Sequence, residues 1–144
     1  MGYWLLKSEP DDWSWDQQKA RGKAGEDWSG VRNYQARNNL RAMKVGDRGF
    51  FYHSGAGKEI VGIVEVTAPA HTDPTDKTGQ WLSVKVRAVR DLPSPVSMAD
   101  IKANSRLKNM VLVRNSRLSV QPVDADEWRI ICEMGGLESS PRSS

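Results

Sequence analysis

The feature that most constrains this chain lies at residues 81–88. Leu82, Val84, Val86 and Ala88 alternate there with Trp81, Ser83, Lys85 and Arg87. A period of two marks a half-buried β-strand, and the pattern predicts one from Trp81 to Asp91, ended by Pro93 and Pro95. The other elements are short and mixed. Tyr3 to Lys7 reads as a buried strand that Pro10-Asp11-Asp12 turns away. Ser14 with Gln17 forms a capping box opening a helix from Trp15 to Arg21 that stops at Gly22, and Lys23 to Asp27 reads as loop. Asn33 caps a helix from Tyr34 to about Met43, and Gly46-Asp47 turns the chain into an aromatic strand, Arg48 to Ser54. Ser54 to Gly57 reads as a hairpin loop, and Glu59 to Thr67 as a strand in which Gly62 marks a bulge or a close approach.

Downstream, Pro69 to Gly79 is a polar loop, Ser97 with Asp100 opens a short helix, and Leu107 to Leu112 gives another turn. A strand from Arg117 to Val120 is ended by Pro122. Asp124 with Glu127 then caps a last helix, with Trp128, Ile131 and Cys132 on one face and Gly135-Gly136 at its end. The Ser/Pro-rich residues 137–144 read as a disordered tail. Strands and short helices without regular strand–helix alternation predict an α+β domain over residues 1–136, built on a small curved or barrel-like sheet.

A chain of 144 residues, 38% hydrophobic and 27% charged, suits one globular domain. No apolar run approaches the ~18–20 residues of a membrane span. MGYWLL before Lys7 does not read as a signal peptide, and Leu6 stands where a myristoylation signal needs Ser or Thr. The single cysteine, Cys132, has no internal partner, which favours a reducing, intracellular compartment. The net charge of +3 is unevenly spread. Residues 1–30 carry four basic against six acidic groups, residues 31–58 carry six against Asp47 alone, and residues 59–144 carry eleven of each. An anionic partner would meet the middle segment.

Within that segment, Ala36, Leu40 and Met43 form the core stripe of the second helix, and Tyr34, Arg37, Asn38 and Arg41 form a second face. Guanidinium forks match phosphate oxygens, and asparagine amides match base edges. The bland alternative is a solvated helix face. Trp28, beside Gly30 in the loop before that helix, serves either to stack on a planar ligand or to plug the helix against the sheet. Trp13 and Trp15 read as packing, Trp4 and Trp128 as core, and Trp81 as either a cover over apolar residues or part of a groove. In the strand Phe50-Phe51-Tyr52-His53-Ser54, alternation sets Phe51 and His53 on one face and Phe50, Tyr52 and Ser54 on the other.

Enzyme readings find little support. No Ser or Cys nucleophile is tied to His53 by a recognisable pattern, so His53 reads as structural. Gly55 to Lys58 resembles the end of a phosphate loop, but Tyr52 and Glu59 occupy positions that need Gly and Ser/Thr. Two histidines and one cysteine give no zinc spacing. No catalytic residue, cofactor or metal is expected.

Five segments together resemble a known family: Tyr3-Trp-Leu-Leu-Lys-Ser-Glu-Pro10, Trp28-Ser-Gly-Val-Arg-Asn-Tyr-Gln-Ala-Arg-Asn38, Gly46-Asp47 with Phe51-Tyr-His-Ser54, Ile60-Val-Gly-Ile-Val-Glu-Val66, and Arg117-Leu-Ser-Val120. They resemble the EVE domain, the thymocyte nuclear protein-like family of the PUA-like superfamily, over residues 2–135. The resemblance implies a PUA-like mixed β-barrel with short helices packed around it. It also implies a non-catalytic nucleic-acid-binding module that reads a modified base, such as methylated or hydroxymethylated cytosine, in DNA or RNA. The architecture is similar to the YTH readers of methylated adenine, whose pocket is lined by a Lys-Ser strand end and a Trp-Ser loop; Lys7-Ser8 and Trp28-Ser29 match these.

The implied base pocket comprises Lys7, Ser8, Glu9, Trp28, Ser29, Asn33, Tyr34, Gln35, Asn38, Tyr52, His53 and Ser54, with Arg32, Arg37 and Arg41 on flanking phosphates. One departure is Gly55, where family members often carry Cys or Asn. The alternative is an enzyme or small-molecule-binding protein acting on modified nucleotides. The expected partner is nucleic acid and not a membrane, with a monomeric chain, cytoplasmic in a bacterium or nuclear in a eukaryote.

Overall fold

The structure, a computed structural model, describes residues 2–55, 57–115 and 117–137. Its strands are β1 (Tyr3–Ser8), β2 (Glu26–Asp27), β3 (Arg48–His53), β4 (Glu59–Thr72), β5 (Leu82–Ser97) and β6 (Val120–Val123). Its α-helices are α1 (Trp15–Ala20), α2 (Tyr34–Ala42), α3 (Met98–Ala103), α4 (Val111–Arg114) and α5 (Ala125–Met134). The strands form one mixed sheet in the order β2-β5-β4-β3-β1-β6. β1 runs parallel to β3, and every other pair is antiparallel.

Alternation along the strands divides the core in two. Trp4 and Leu6 of β1, Phe51 of β3, Val64 and Val66 of β4, and Val84 and Val86 of β5 bury one face, together with Trp15, Trp28 and the Ala36-Leu40-Met43 stripe of α2. Leu5, Phe50, Tyr52, Ile60 and Ile63 bury the other, against Ile101, Leu112, Trp128 and Ile131 of the later helices. Trp128 is sandwiched between Phe50, 3.9 Å away, and Tyr3, 4.6 Å away by ring centroids. Helix α2 packs against both β5 and β6, which stand four places apart in the strand order. A single helix touches both only if the sheet curls around the first core, as in a small barrel.

The caps behave as the sequence predicts. Ser14 and Asp124 each form a reciprocal capping box, Asn33 accepts from the N–H of Ala36, and Ser97 accepts from that of Asp100. Gly62 is a close approach: a methyl group there would collide with the ring of Trp15.

Four element boundaries differ from expectation. β5 does not end at Pro93 and Pro95 but continues to Ser97. Gly62 pairs with Asp91 and Ile60 with Val96, so both prolines fall in a wide bulge where no ladder N–H is needed. β4 extends to Thr72, because His71 and Thr72 find partners in Ser83 and Leu82. Glu26–Asp27 is a strand rather than loop, held by Val86 and Lys85, since two residues are too few to show a period. The last strand is Val120–Val123 rather than Arg117–Val120, so Pro122 lies inside it, opposite Trp4, which an edge strand tolerates. Residues 138–144 of the expected tail lie outside the described residues.

Candidate nucleic-acid interface

A cleft of about 760 Å³ opens where the C-terminal end of β1, the turn after it, β2 and the loop before α2 converge. It falls within the ~300–1,000 Å³ typical of ligand sites. β1 delivers Lys7 and Ser8, with Glu9, Asp12 and Trp13 from the following turn. That turn is closed by the N–H groups of Asp12 and Trp13 donating to the Glu9 carbonyl at 2.9 and 3.0 Å. The Ser8 hydroxyl donates to the Trp13 carbonyl at 2.7 Å, which leaves its oxygen an acceptor. The Trp13 indole donates to Gln18 at 2.8 Å, and fully buried Gln18 donates onward to the Val86 carbonyl at 3.1 Å. A buried amide thus sets the angle of a half-buried ring at the cleft.

The opposite wall is Glu26, Asp27, Trp28, Ser29, Gly30, Val31 and Arg32. The Trp28 N–H donates to the Val84 carbonyl at 2.7 Å, and its ring meets Phe51 edge-on at 5.4 Å. Both readings of Trp28 therefore hold at once: the ring is buried in the core and also borders the cleft. Gly30 turns the loop at φ 84°, a conformation open chiefly to glycine. Its N–H donates to Asp73 at 2.8 Å, and Arg32 reaches the same carboxylate oxygen at 3.0 Å. Burial pushes the Asp73 carboxyl up, but hydrogen bonds from Thr75, Gly30 and Arg32 outweigh this and hold it below its ordinary value. Ser54, Arg117 and Ser119 complete the rim.

Three basic and four acidic residues are among those lining this space, and the Lys7 ammonium lies 5.6 Å from the centre of the Tyr52 ring. Arg32 is paired with Asp73, Glu26 with Arg21 at 3.1 Å, and Asp27 with His71 at 3.0 Å. Burial lowers the Lys7 ammonium from its ordinary value.

Of the residues expected from sequence, Lys7, Ser8, Glu9, Trp28, Ser29, Ser54 and Arg32 line the cleft. The others do not. Asn33 caps α2. Tyr34 is 60% exposed and stacks on Trp81 at 5.0 Å. Gln35 and Asn38 are exposed on α2, and Asn38 accepts from Arg41 at 3.4 Å. Tyr52 is buried on the far face of the sheet, where alternation sends it. His53 accepts the Trp15 N–H at Nε2, 3.0 Å away, so it ties α1 to β3; burial lowers its affinity for a proton. Arg37 donates to the Gln80 carbonyl at 3.1 Å and lies over Tyr34 and Trp81 at 4.9 and 5.7 Å. Of the three arginines expected on flanking phosphates, Arg32 lines the cleft, Arg37 is engaged by Gln80 and two rings, and Arg41 is exposed on α2.

Asp12, Trp13, Glu26, Asp27, Gly30, Val31, Arg117 and Ser119 are lining residues that sequence reasoning missed. Trp13 was expected only to pack, and Glu26–Asp27 sat in an apparent loop. Cys132 is buried, and burial pushes its thiol up to about 11. Among the described residues, no group of three or more His, Cys, Asp or Glu is arranged to hold a metal, and no helix is long and apolar enough to cross a membrane.

A mixed sheet curled round one core, with a polar and aromatic cleft at its strand ends, defines a PUA-like domain. The EVE domain model matches residues 2–134, and the chain belongs to that family. A protein of known crystal structure from Agrobacterium tumefaciens is 57% identical, with a TM-score of 0.93 over 98% of this chain and 97% of that one. Human thymocyte nuclear protein 1 is 35% identical over 96% of this chain and 76% of its own length. A crystal structure of human THYN1 protein in complex with DNA containing 5-methylcytosine superposes with a TM-score of 0.88 at 34% identity, over 96% of this chain and 99% of that one. A YTH domain from Zygosaccharomyces rouxii shares the fold, at 20% identity and a TM-score of 0.56 over 96% of this chain and 87% of that one.

Proposed function

We propose that this chain is a non-catalytic module that binds DNA or RNA and receives one modified base, first of all a methylated or hydroxymethylated cytosine, in the cleft between Trp13 and Trp28. The observation that carries this reading is the cleft itself, in a family whose human member is bound to DNA containing 5-methylcytosine. A base leaves its stack at a cost of a few kcal/mol, least in single strands. Contact with an aromatic ring returns roughly 1–3 kcal/mol. Ser8 and Ser29 offer hydrogen-bonding groups to the base edge, while Lys7, Arg32 and Arg117 meet phosphates on either side. Burying one methyl adds only about 0.8 kcal/mol, so polar contacts must supply the rest of the selectivity. The absence of a catalytic role is supported by His53, whose Nε2 is occupied by the Trp15 N–H.

The test replaces Trp13, which is half-buried and packs on the edge of the first core rather than inside it. Trp13→Ala is expected to stay folded by circular dichroism and to bind a 5-methylcytosine oligonucleotide at least ~1 kcal/mol more weakly. Unchanged affinity in a folded variant, or turnover of modified nucleosides by the wild type, contradicts the proposal.

A further inference from the structure

The cleft wall that carries Trp28 runs on, through Arg32 and the cap Asn33, into a second aromatic surface outside the cleft. Tyr34 opens α2 and is 60% exposed; among the described residues it is the one aromatic side chain left so open. Its ring stacks on Trp81, the half-buried residue before β5, with centroids 5.0 Å apart and planes 30° from parallel. Trp81 is held on both sides: its N–H donates to Asp76 at 2.8 Å, and its carbonyl accepts from the Asp73 N–H at 2.9 Å. The Arg37 guanidinium lies 4.9 Å from the Tyr34 ring centre and 5.7 Å from that of Trp81. With the two rings 5.0 Å apart, these distances form a compact triangle. Arg37 and Trp81 therefore do not lie across the phenol ring from one another. One side of the ring is backed by an indole and a cation, and the other is a flat apolar face open to solvent.

The place of this face decides its occupant. Arg32 lines the cleft, and its guanidinium lies 5.7 Å from the Trp81 ring centre, so the platform begins where the cleft wall ends. A strand that puts one base into the cleft carries the neighbouring bases past that rim. Extruding a base also deprives its neighbour of a stacking partner, and an aromatic face can replace the lost contact. We infer that Tyr34, backed by Trp81, is a second stacking site, which takes a nucleobase flanking the one held in the cleft. The inference rests on the base-binding reading above. Both guanidiniums at the platform are already engaged, Arg32 by Asp73 and Arg37 by the Gln80 carbonyl. The contribution of Tyr34 is therefore uncharged. It is also tolerant of sequence, since every base has a flat face.

The test is a cycle with changes on both partners. The parent is a single-stranded DNA oligonucleotide with one central 5-methylcytosine. In further strands, one nucleotide among the nearest two on either side is made abasic. The wild type is expected to bind one of these strands about fivefold or more weakly than the parent, the share of one stacked base. Tyr34→Ala is expected to bind the parent weaker by a similar factor, and to lose nothing more when that same nucleotide is abasic. Tyr34→Phe, which keeps the ring, is expected to stay within about twofold of the wild type on every strand. The slope of log affinity against log salt is expected to be the same for Tyr34→Ala and the wild type, because no charge is removed. Circular dichroism and thermal melting check that both variants fold, and the comparison of strands on the wild type needs no variant. Parent binding by folded Tyr34→Ala within about twofold of the wild type overturns the assignment. So does wild-type binding that no abasic position weakens, or a Tyr34→Ala loss that adds in full to the loss from every abasic position. If Trp13→Ala still weakens binding in those cases, the base-binding reading stands without the platform. No saturable binding of the parent by the wild type, or unchanged binding by Trp13→Ala, overturns both.

Discussion

Trp28 shows how one residue can carry two roles. It is only 6% exposed and packs on Phe51, yet it borders the cleft. Its removal would empty core volume as well as remove a wall, so Trp13 is the cleaner probe of stacking. The arginines separate in a similar way. Arg117 is exposed at the rim, whereas Arg37 is spent on the Gln80 carbonyl and two rings. Arg117→Ala should therefore weaken binding to all sequences alike and lower the slope of log affinity against log salt by about 1. Arg37→Ala should leave that slope unchanged, as salt titrations of the two variants will show. At this scale the sequence exposes the residues that lie in contiguous motifs, Lys7-Ser8-Glu9 and Trp28-Ser29 with Arg32. It hides Asp27, Arg117 and Ser119, because only the folding of distant strand ends onto one opening makes them lining residues. It also overextends the site to Tyr34, Asn38 and Tyr52, which share a motif with lining residues but point elsewhere.

Between elements, the junction of α1 with the sheet is the most sensitive contact that supports the cleft. The Trp15 ring lies against Gly62, its indole donates to Asp91 at 2.6 Å, and its N–H donates to His53. Gly62→Ala should displace α1 and cost about 1–3 kcal/mol, the range for overpacking, measurable as a lowered urea midpoint. The same junction gives a pH dependence. Burial lowers His53 from its ordinary value of 6.5, with Glu59 and Asp16 opposing it. Just below 6.5 the unfolded chain therefore takes up more protons than the folded one. Stability contributed by the neutral ring is complete above that pH and declines as pH falls through it. Urea midpoints should drop between pH 7.5 and 5.5 in the wild type and less in His53→Gln, which accepts without titrating. Helices were legible here because their caps are local: Ser14, Asn33, Ser97 and Asp124 each accept from the N–H three residues on. Strand ends were not, because Pro93, Pro95 and Pro122 are accommodated by a bulge and an edge that exist only in the assembled sheet.

For the molecule as a whole, curling the sheet is what brings β1, β2 and the residues before β6 to one opening. The fold class followed from mixed short elements and from the family motifs. The cleft as a volume did not, since an opening belongs to no single segment. Of the six basic groups in residues 31–58, Arg32 lines the cleft, whereas Arg37 is engaged by the Gln80 carbonyl and two rings and Arg48 is buried against Glu65. The most direct measurement is a fluorescence anisotropy titration of the wild-type protein, at one fixed salt concentration, with single-stranded oligonucleotides that differ only in one central cytosine or 5-methylcytosine. The methylated strand should bind more tightly by a factor of about 4 or more, the share of one buried methyl group. Equal affinities for the two strands, or no saturable binding of either, would contradict the account.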